Sequence, residues 1–381
     1  MSKIYDVCVI GGGVIGLWVA YFLSRNGLSI ALVEKKTCGS GASGGVLGAL
    51  MAYSPENWSN KKQFQFDALV ELPKLIESLE EETAQPTGYM RCGRIMPIRK
   101  LNFLERADLR SSQADKLWCH GNEKFSFNVV NTSDKLIDGD GEWLASEFTT
   151  YGHVLDTLTA RVNPKLYTTA LKARLLTSPH VDILEHWTFG YFDETHHTVY
   201  NREGTRSIIS REIVLTAGYQ TFAILQPIVD RMIGNGIKGQ AAVFICPNSI
   251  ENPLIYDDGI YIVPHENGTC AVGSTTEKQW VDETSSDVTR MDFIMRAKSL
   301  CVPLRKAEMV ERWAGVRPHC HLTDPIVGRL DDRAVFVATG GYKITFGIAH
   351  RIAKYIADEI SGVAQNIDLP PTFHPRYHIC N

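Results

Sequence analysis

The chain has 381 residues, 44% of them hydrophobic and 22% charged, with a formal net charge of -4. Such a composition excludes a disordered or fibrous protein, and the length suits two domains or one two-lobed body. The weakly acidic balance gives no electrostatic reason to expect nucleic acid or an anionic membrane surface as partner.

The first element is an apolar run, Val7 to Ile10, bounded by glycine and read as a strand buried on both faces. Gly11, Gly13 and Gly16 follow in G-x-G-x-x-G spacing. They allow, in turn, a tight turn, close approach of backbone to a pyrophosphate, and contact between helix and strand. Val14 to Asn26 reads as the helix, closed by Gly27. Its N-terminal N–H groups and dipole face the glycine turn and suit two phosphates. Ser29 to Val33 is the second strand. Glu34 stands at its end, where a carboxylate accepts from both ribose hydroxyls of an adenosine. These features point to an adenine dinucleotide and do not separate NAD from FAD.

From Lys35 to Leu50 the segment "KKTCGSGASGGVLGAL" sets five glycines among Val46, Leu47, Ala49 and Leu50. A stretch both glycine-rich and apolar suggests backbone laid against a flat ligand. Lys61 to Glu82 has helical apolar spacing, and Tyr89 to about Trp143 reads as β structure in another layer. Pro164 to Leu176 is helix-like, "HVDILE" strand-like, and "SREIVLTAGYQ" a buried strand ending in Ala-Gly. Between Gly234 and Ser274 lie the β-rich runs "GQAAVFIC", "GIYIVP" and "TCAVGS"; a helix is expected in "DVTRMDFIMRAKSLC". Finally "RAVFVATGGYKITFGIAHRIAKYIADEISG" repeats the N-terminal grammar of strand, glycine turn, amphipathic helix and closing glycine.

No run of about eighteen apolar residues occurs, and the first apolar segment lacks a basic leader, so neither a membrane span nor a secretory signal is expected. Nine scattered cysteines without a Cys-x-x-Cys pair suit reduced thiols in the cytoplasm. His319, Cys320 and His321 are adjacent, but adjacent side chains diverge and no second cluster completes a ligand set, so no metal is expected.

The series "VIGGGVIG", "VEKK", "GSGASGGVLGA", "VLTAG", "WAGVRP", "DPIVGRL" and "VFVATGGYKITFGIA" resembles, in order and spacing, the FAD-dependent oxidoreductases of the D-amino-acid oxidase type, most of all the glycine oxidases among them. The likeness spans the chain and is thin over about 95–150. It implies an α/β fold: a discontinuous Rossmann-like FAD-binding domain of 1–87, 151–218 and 315–381, and a second α+β substrate domain of 88–150 and 219–314 built on a large antiparallel sheet. It also implies oxidative deamination of a small amino acid or amine (glycine, sarcosine or a small D-amino acid) by hydride transfer to flavin N5. O2 or another electron acceptor then takes the electrons, O2 giving H2O2, and a homo-oligomer is compatible with the family.

By the same resemblance, Arg317 of "WAGVRP" clamps the substrate carboxylate, for which a guanidinium offers two parallel donors. Tyr261 hydrogen-bonds that carboxylate, Tyr256 lines the pocket, and Lys343 occupies a position where arginine is usual. Gly259 stands in place of a histidine and Val46 in place of a methionine, which puts glycine itself in question as the substrate. The residues matched to FAD are Gly11, Gly13, Val14, Ile15 and Gly16 at the pyrophosphate, Glu34 and Lys35 at the ribose, and Ser43, Gly44, Gly45 and Val46 near phosphates and ring. Phe189 falls at the adenine, Ala217 and Gly218 at a strand end, and Gly340, Gly341, Ile344 and Thr345 at the pyrimidine side. A covalent link through Cys320 is not expected, because the attachment cysteine of sarcosine oxidases aligns nearer Gly315. Other readings are an FAD-dependent amino-acid or 2-hydroxy-acid dehydrogenase serving a quinone or carrier, a non-catalytic flavin-bound subunit, and a plain NAD dehydrogenase, whose dinucleotide domain would be contiguous.

Overall fold

The structure, a computed structural model, describes residues 3–131, 142–287 and 291–380. The opening motif folds as its spacing dictates. Strand β1 (Ile4–Ile10) enters the glycine turn, helix α1 (Val14–Arg25) leaves it, and β2 (Ile30–Val33) returns parallel to β1. Gly27, at φ 80°, takes the left-handed conformation that ends the helix. Val14 to Ser24 are all buried, as a helix apolar on every side must be.

Five parallel strands form the centre of the first sheet: Val181–Leu184, β2, β1, Ser207–Leu215 and Val335–Thr339. Antiparallel strands Phe189–Asp193, Thr198–Asn201 and Ile326–Arg329 extend it. Along β1, Val7 and Val9 enter one core with α1 and the Thr345–Ser361 helix, while Cys8 and Ile10 enter another with Trp187 and Phe222. Burial on both faces explains the unbroken apolar run.

The second sheet takes strands from Arg94–Pro97, Phe127–Val130, His153–Asp156, Gly234–Ile245, Leu254–Asp257, Ile260–Pro264, Thr269–Gly273 and Met309–Cys320. All neighbours pair antiparallel except Leu254–Asp257 with Arg94–Pro97. Two of these strands, His153–Asp156 and the Gly315–Cys320 part of Met309–Cys320, lie in segments that the resemblance assigned to the first domain. Behind the sheet a core gathers Phe244, Ile262, Val272, Phe293 and Leu300. On the other face Ala241, Val243 and Ala271 meet Val46, Leu47 and Trp313.

The β reading of 89–143 needs correction. Leu101–Leu117 is a helix, with only Ala107 and Ala114 fully buried, and strands there are short. Its outer residues Leu101, Phe103 and Leu109 are exposed, so no apolar stripe marked it. Residues 132–141 of that stretch lie outside the described residues. The helix expected over 287–301 runs Asp292–Leu300; 288–290 lie outside the described residues.

Candidate active site

The carboxyl ends of the parallel strands and the open face of the second sheet enclose one cavity of about 1210 Å³. A single small-molecule pocket encloses roughly 300–1,000 Å³, so the space suits an extended ligand. At one end stand Trp187 and Phe189, in the middle the β1–α1 turn, and at the other end Tyr261, Trp313, Arg317, Tyr342 and Lys343.

Three features shape the middle. Gly13 caps α1 with no side-chain hydrogen bond of its own, and the first turn has no acidic residue, so no charge on the helix offsets its positive end at the cavity. A Cβ on Gly11 would lie 2.7 Å from Thr216 O, and one on Gly16 2.0 Å from Gly11 O. The turn is therefore as tight as the motif requires. Ser43 Oγ accepts from Val14 N at 2.9 Å, which ties the second glycine-rich segment to the helix start. Glu34, at the end of β2, accepts from Gly12 N at 2.8 Å and Lys36 N at 2.9 Å while lining the cavity.

Arg317 comes from the strand Met309–Cys320 and is half-buried. Its Nη2 donates to Thr275 O at 3.3 Å, while Nη1 is buried with no hydrogen-bond partner. A buried guanidinium nitrogen left unpaired carries a desolvation penalty that an anion in the cavity would relieve. The guanidinium lies 5.6 Å from the centre of the Tyr342 ring. The Lys343 ammonium lies 5.5 Å from the Tyr261 ring and 5.7 Å from that of Tyr342. Burial, followed by repulsion from Arg317, pulls its pKa down to about 8. Burial also pushes the Tyr261 hydroxyl up, so it remains a neutral donor.

Of the matched residues, Gly11, Gly13, Val14, Ile15, Glu34, Lys35, Ser43, Gly45, Val46, Phe189, Ala217, Gly218, Tyr261, Arg317, Lys343 and Thr345 line the cavity. The others stand behind its wall. Gly16 backs Gly11, and Gly44 sits against Gly39 O. Gly340 faces Cys320 Sγ, Gly341 bridges to His319, and Ile344 packs into the first core. Tyr256 pairs with Tyr261 on the neighbouring strand, its ring edge-on at 5.0 Å, and does not line the cavity. Cys320 is fully buried and its thiol is pushed up to about 12 by burial. No group of His, Cys, Asp and Glu suited to a metal ion occurs among the described residues.

Sequence reasoning missed several contributors. Trp313 lies over Gly315 and near Gly45, and a Cβ on Gly315 would lie 2.4 Å from the indole. Gly239, paired with Gly315 across the sheet, makes room for the guanidinium: a Cβ there would lie 1.6 Å from Arg317 Nη2. His265, buried and held neutral by desolvation, donates from Nε2 to Val46 O at 2.9 Å and fixes the segment beside Trp313. The "WAG" before Arg317 carried a signal for Trp313; nothing local marked Gly239 or His265.

The profile of the family described as FAD dependent oxidoreductase matches residues 6–359. The chain belongs to that family. It is 25% identical to a glycine oxidase of Geobacillus kaustophilus (strain HTA426), over 97% of each chain, and 24% identical to one of Bacillus subtilis (strain 168), over 97% and 96%. The crystal structure of glycine oxidase from Geobacillus kaustophilus superposes with a TM-score of 0.85 at 22% identity, covering 97% of this chain and 98% of that one, and shares its fold. The protein is thus an FAD-dependent oxidoreductase, and FAD fits the residues present. The α1 N-terminus would meet the pyrophosphate, Glu34 the ribose, and Trp187 and Phe189 the adenine end. Among the described residues no helix is long and apolar enough to cross a membrane.

Proposed function

We propose that this oxidoreductase oxidises the amino group of a small amino acid or amine to an imine, which water hydrolyses to a carbonyl compound and ammonia or an amine. The observation that carries the reading is the unpartnered Nη1 of Arg317, buried at the end of a dinucleotide groove. The bound flavin supplies the hydride acceptor; the side chains orient the substrate. Arg317 offers paired donors to a carboxylate, Tyr261 a neutral hydroxyl, and Trp313 an apolar wall that excludes water. FAD is held non-covalently, since Cys320 is buried behind Gly340. O2 is the acceptor, giving H2O2.

The first sheet with its helices forms the FAD-binding domain. The second forms the substrate domain, with His153–Asp156 and Met309–Cys320 counted in it. We place the enzyme in the cytoplasm, in keeping with nine free cysteines. The test is anaerobic mixing of the yellow holoenzyme with D-, L- and N-methyl amino acids. Bleaching of the flavin is expected, with peroxide formed on admitting air and KM raised steeply in Arg317→Met. Protein that retains no flavin, or flavin untouched by every amine, refutes the reading; reduction without peroxide refutes O2 as acceptor.

A further inference from the structure

We propose that the amine oxidised here is a dicarboxylate, with Arg317 holding the carboxylate on the reacting carbon and Lys343 the second one. The proposal rests on the amine-oxidising reading above and narrows its substrate. Two cationic heads share one end of the cavity, and a glycine-sized ligand has only one carboxylate to give them. Arg317 has its vacant Nη1. Lys343 has the rings of Tyr261 and Tyr342 as neighbours, and its pKa is moved by burial and by Arg317, with no carboxylate acting on it. Glu277, the acid whose charge reaches Arg317, already accepts from Thr275 Oγ1 at 2.5 Å and Gln240 Nε2 at 2.9 Å. Among the described residues no carboxylate is in ion-pair contact with Lys343, and a half-buried ammonium left so is costly until a ligand brings one.

The spacing suits a short dicarboxylate. Both heads lie within 6 Å of the Tyr342 ring centre, at 5.6 and 5.7 Å, so they are at most about 11 Å apart. Charge-assisted contacts of about 3 Å at each end leave at most roughly 5 Å between the two carboxylates. An aspartate-like or N-carboxymethyl amino acid fits within that limit. Room exists for it: a second recess of about 550 Å³ opens at Lys343 and Ser274, which it shares with the main cavity. Gly259 forms part of its wall, and a Cβ there would meet nothing within 4 Å. The recess is also lined by Asp258, Asp292 and Arg296, with Arg296 turned to Asp258 at 3.4 Å.

Two measurements on the holoenzyme test this. In anaerobic flavin reduction, D-aspartate or iminodiacetate is expected to exceed glycine, sarcosine and D-alanine at least tenfold in kcat/KM. In binding, read from the shift of the flavin spectrum, malonate or succinate is expected to bind at least tenfold tighter than acetate. Lys343→Met should bring both ratios close to one, and Lys343→Arg should restore most of them. Equal reduction by monocarboxylates and dicarboxylates overturns the proposal while leaving amine oxidation standing. A Lys343→Met variant that shifts the flavin reduction potential but keeps both ratios also overturns it, assigning the lysine to the cofactor. If no amine reduces the flavin, amine oxidation fails instead; the malonate-to-acetate ratio still judges the two-cation site.

Discussion

Gly239→Ala tests whether the geometry around Arg317, and not its charge alone, governs substrate binding. The new Cβ would lie 1.6 Å from Nη2, 2.4 Å from Cζ and 3.0 Å from Nη1 of Arg317, and these are its three nearest neighbours. An ordinary contact is about 3.5 Å, so the guanidinium must retreat by roughly 2 Å. The 3.3 Å bond to Thr275 O then breaks, and the donor pair leaves the position a carboxylate would meet. Losing a charge-assisted pair costs about 1.5–3 kcal/mol, which weakens carboxylate binding roughly 10- to 150-fold. The fold should survive, because what gives way is the end of a flexible side chain. Titrating a carboxylate ligand into parent and variant holoenzymes, with melting temperatures alongside, gives the result directly. An alanine variant that binds as tightly as the parent refutes the placement of Arg317. A collapse in melting temperature with binding intact refutes it equally.

Three further outcomes follow from the packing. Gly16→Ala sets a Cβ 2.0 Å from Gly11 O and 2.6 Å from Thr216 Oγ1, so the β1–α1 joint must open at a cost of about 1–3 kcal/mol; a lower melting temperature and a smaller flavin-to-protein absorbance ratio are expected, and full flavin content with unchanged melting would contradict this. His350 is completely buried and its pKa is depressed to about 3, so between that value and about 6.5 the unfolded chain binds a proton that the folded one refuses. Stability due to its neutral state is present above that window and falls with pH, by about 2 kcal/mol at pH 5. His350→Leu should therefore lose less stability than the parent between pH 7 and pH 5 in urea titrations, and an identical pH dependence would rule this out. Arg94 and Asp156 form a buried ion pair at 2.6 Å across the Arg94–Pro97 and His153–Asp156 strands. Arg94→Leu strands the carboxylate and should cost roughly 3–5 kcal/mol in denaturant unfolding, whereas a change below 1 kcal/mol would show that water reaches Asp156.

Some of this protein is written locally. The glycine spacing after Ile10, the apolar runs on either side, and Glu34 at the end of β2 specify a phosphate-facing turn within about thirty residues. Backbone conformation there depends on which residues lack a side chain, and a residue's own type decides that. The closing segment carries the same information, since Val335–Thr339 and Thr345–Ser361 repeat the strand and helix pattern. The helix Leu101–Leu117 carries no such signal, because its exposed apolar residues never gather into a stripe.

The site depends on distances along the chain that no window of sequence covers. Tyr256 and Tyr261 read alike, yet strand pairing sets them side by side and gives only Tyr261 the cavity. Gly239 is an unremarked glycine until the strand carrying Arg317 pairs with its own and lays a guanidinium across it. His265 reaches Val46 from 219 residues further along the chain. Residue types fix what the backbone can do nearby. Which side chains face one another across a cavity is settled by sheet register, and a shift of one residue would turn each of them to the opposite face.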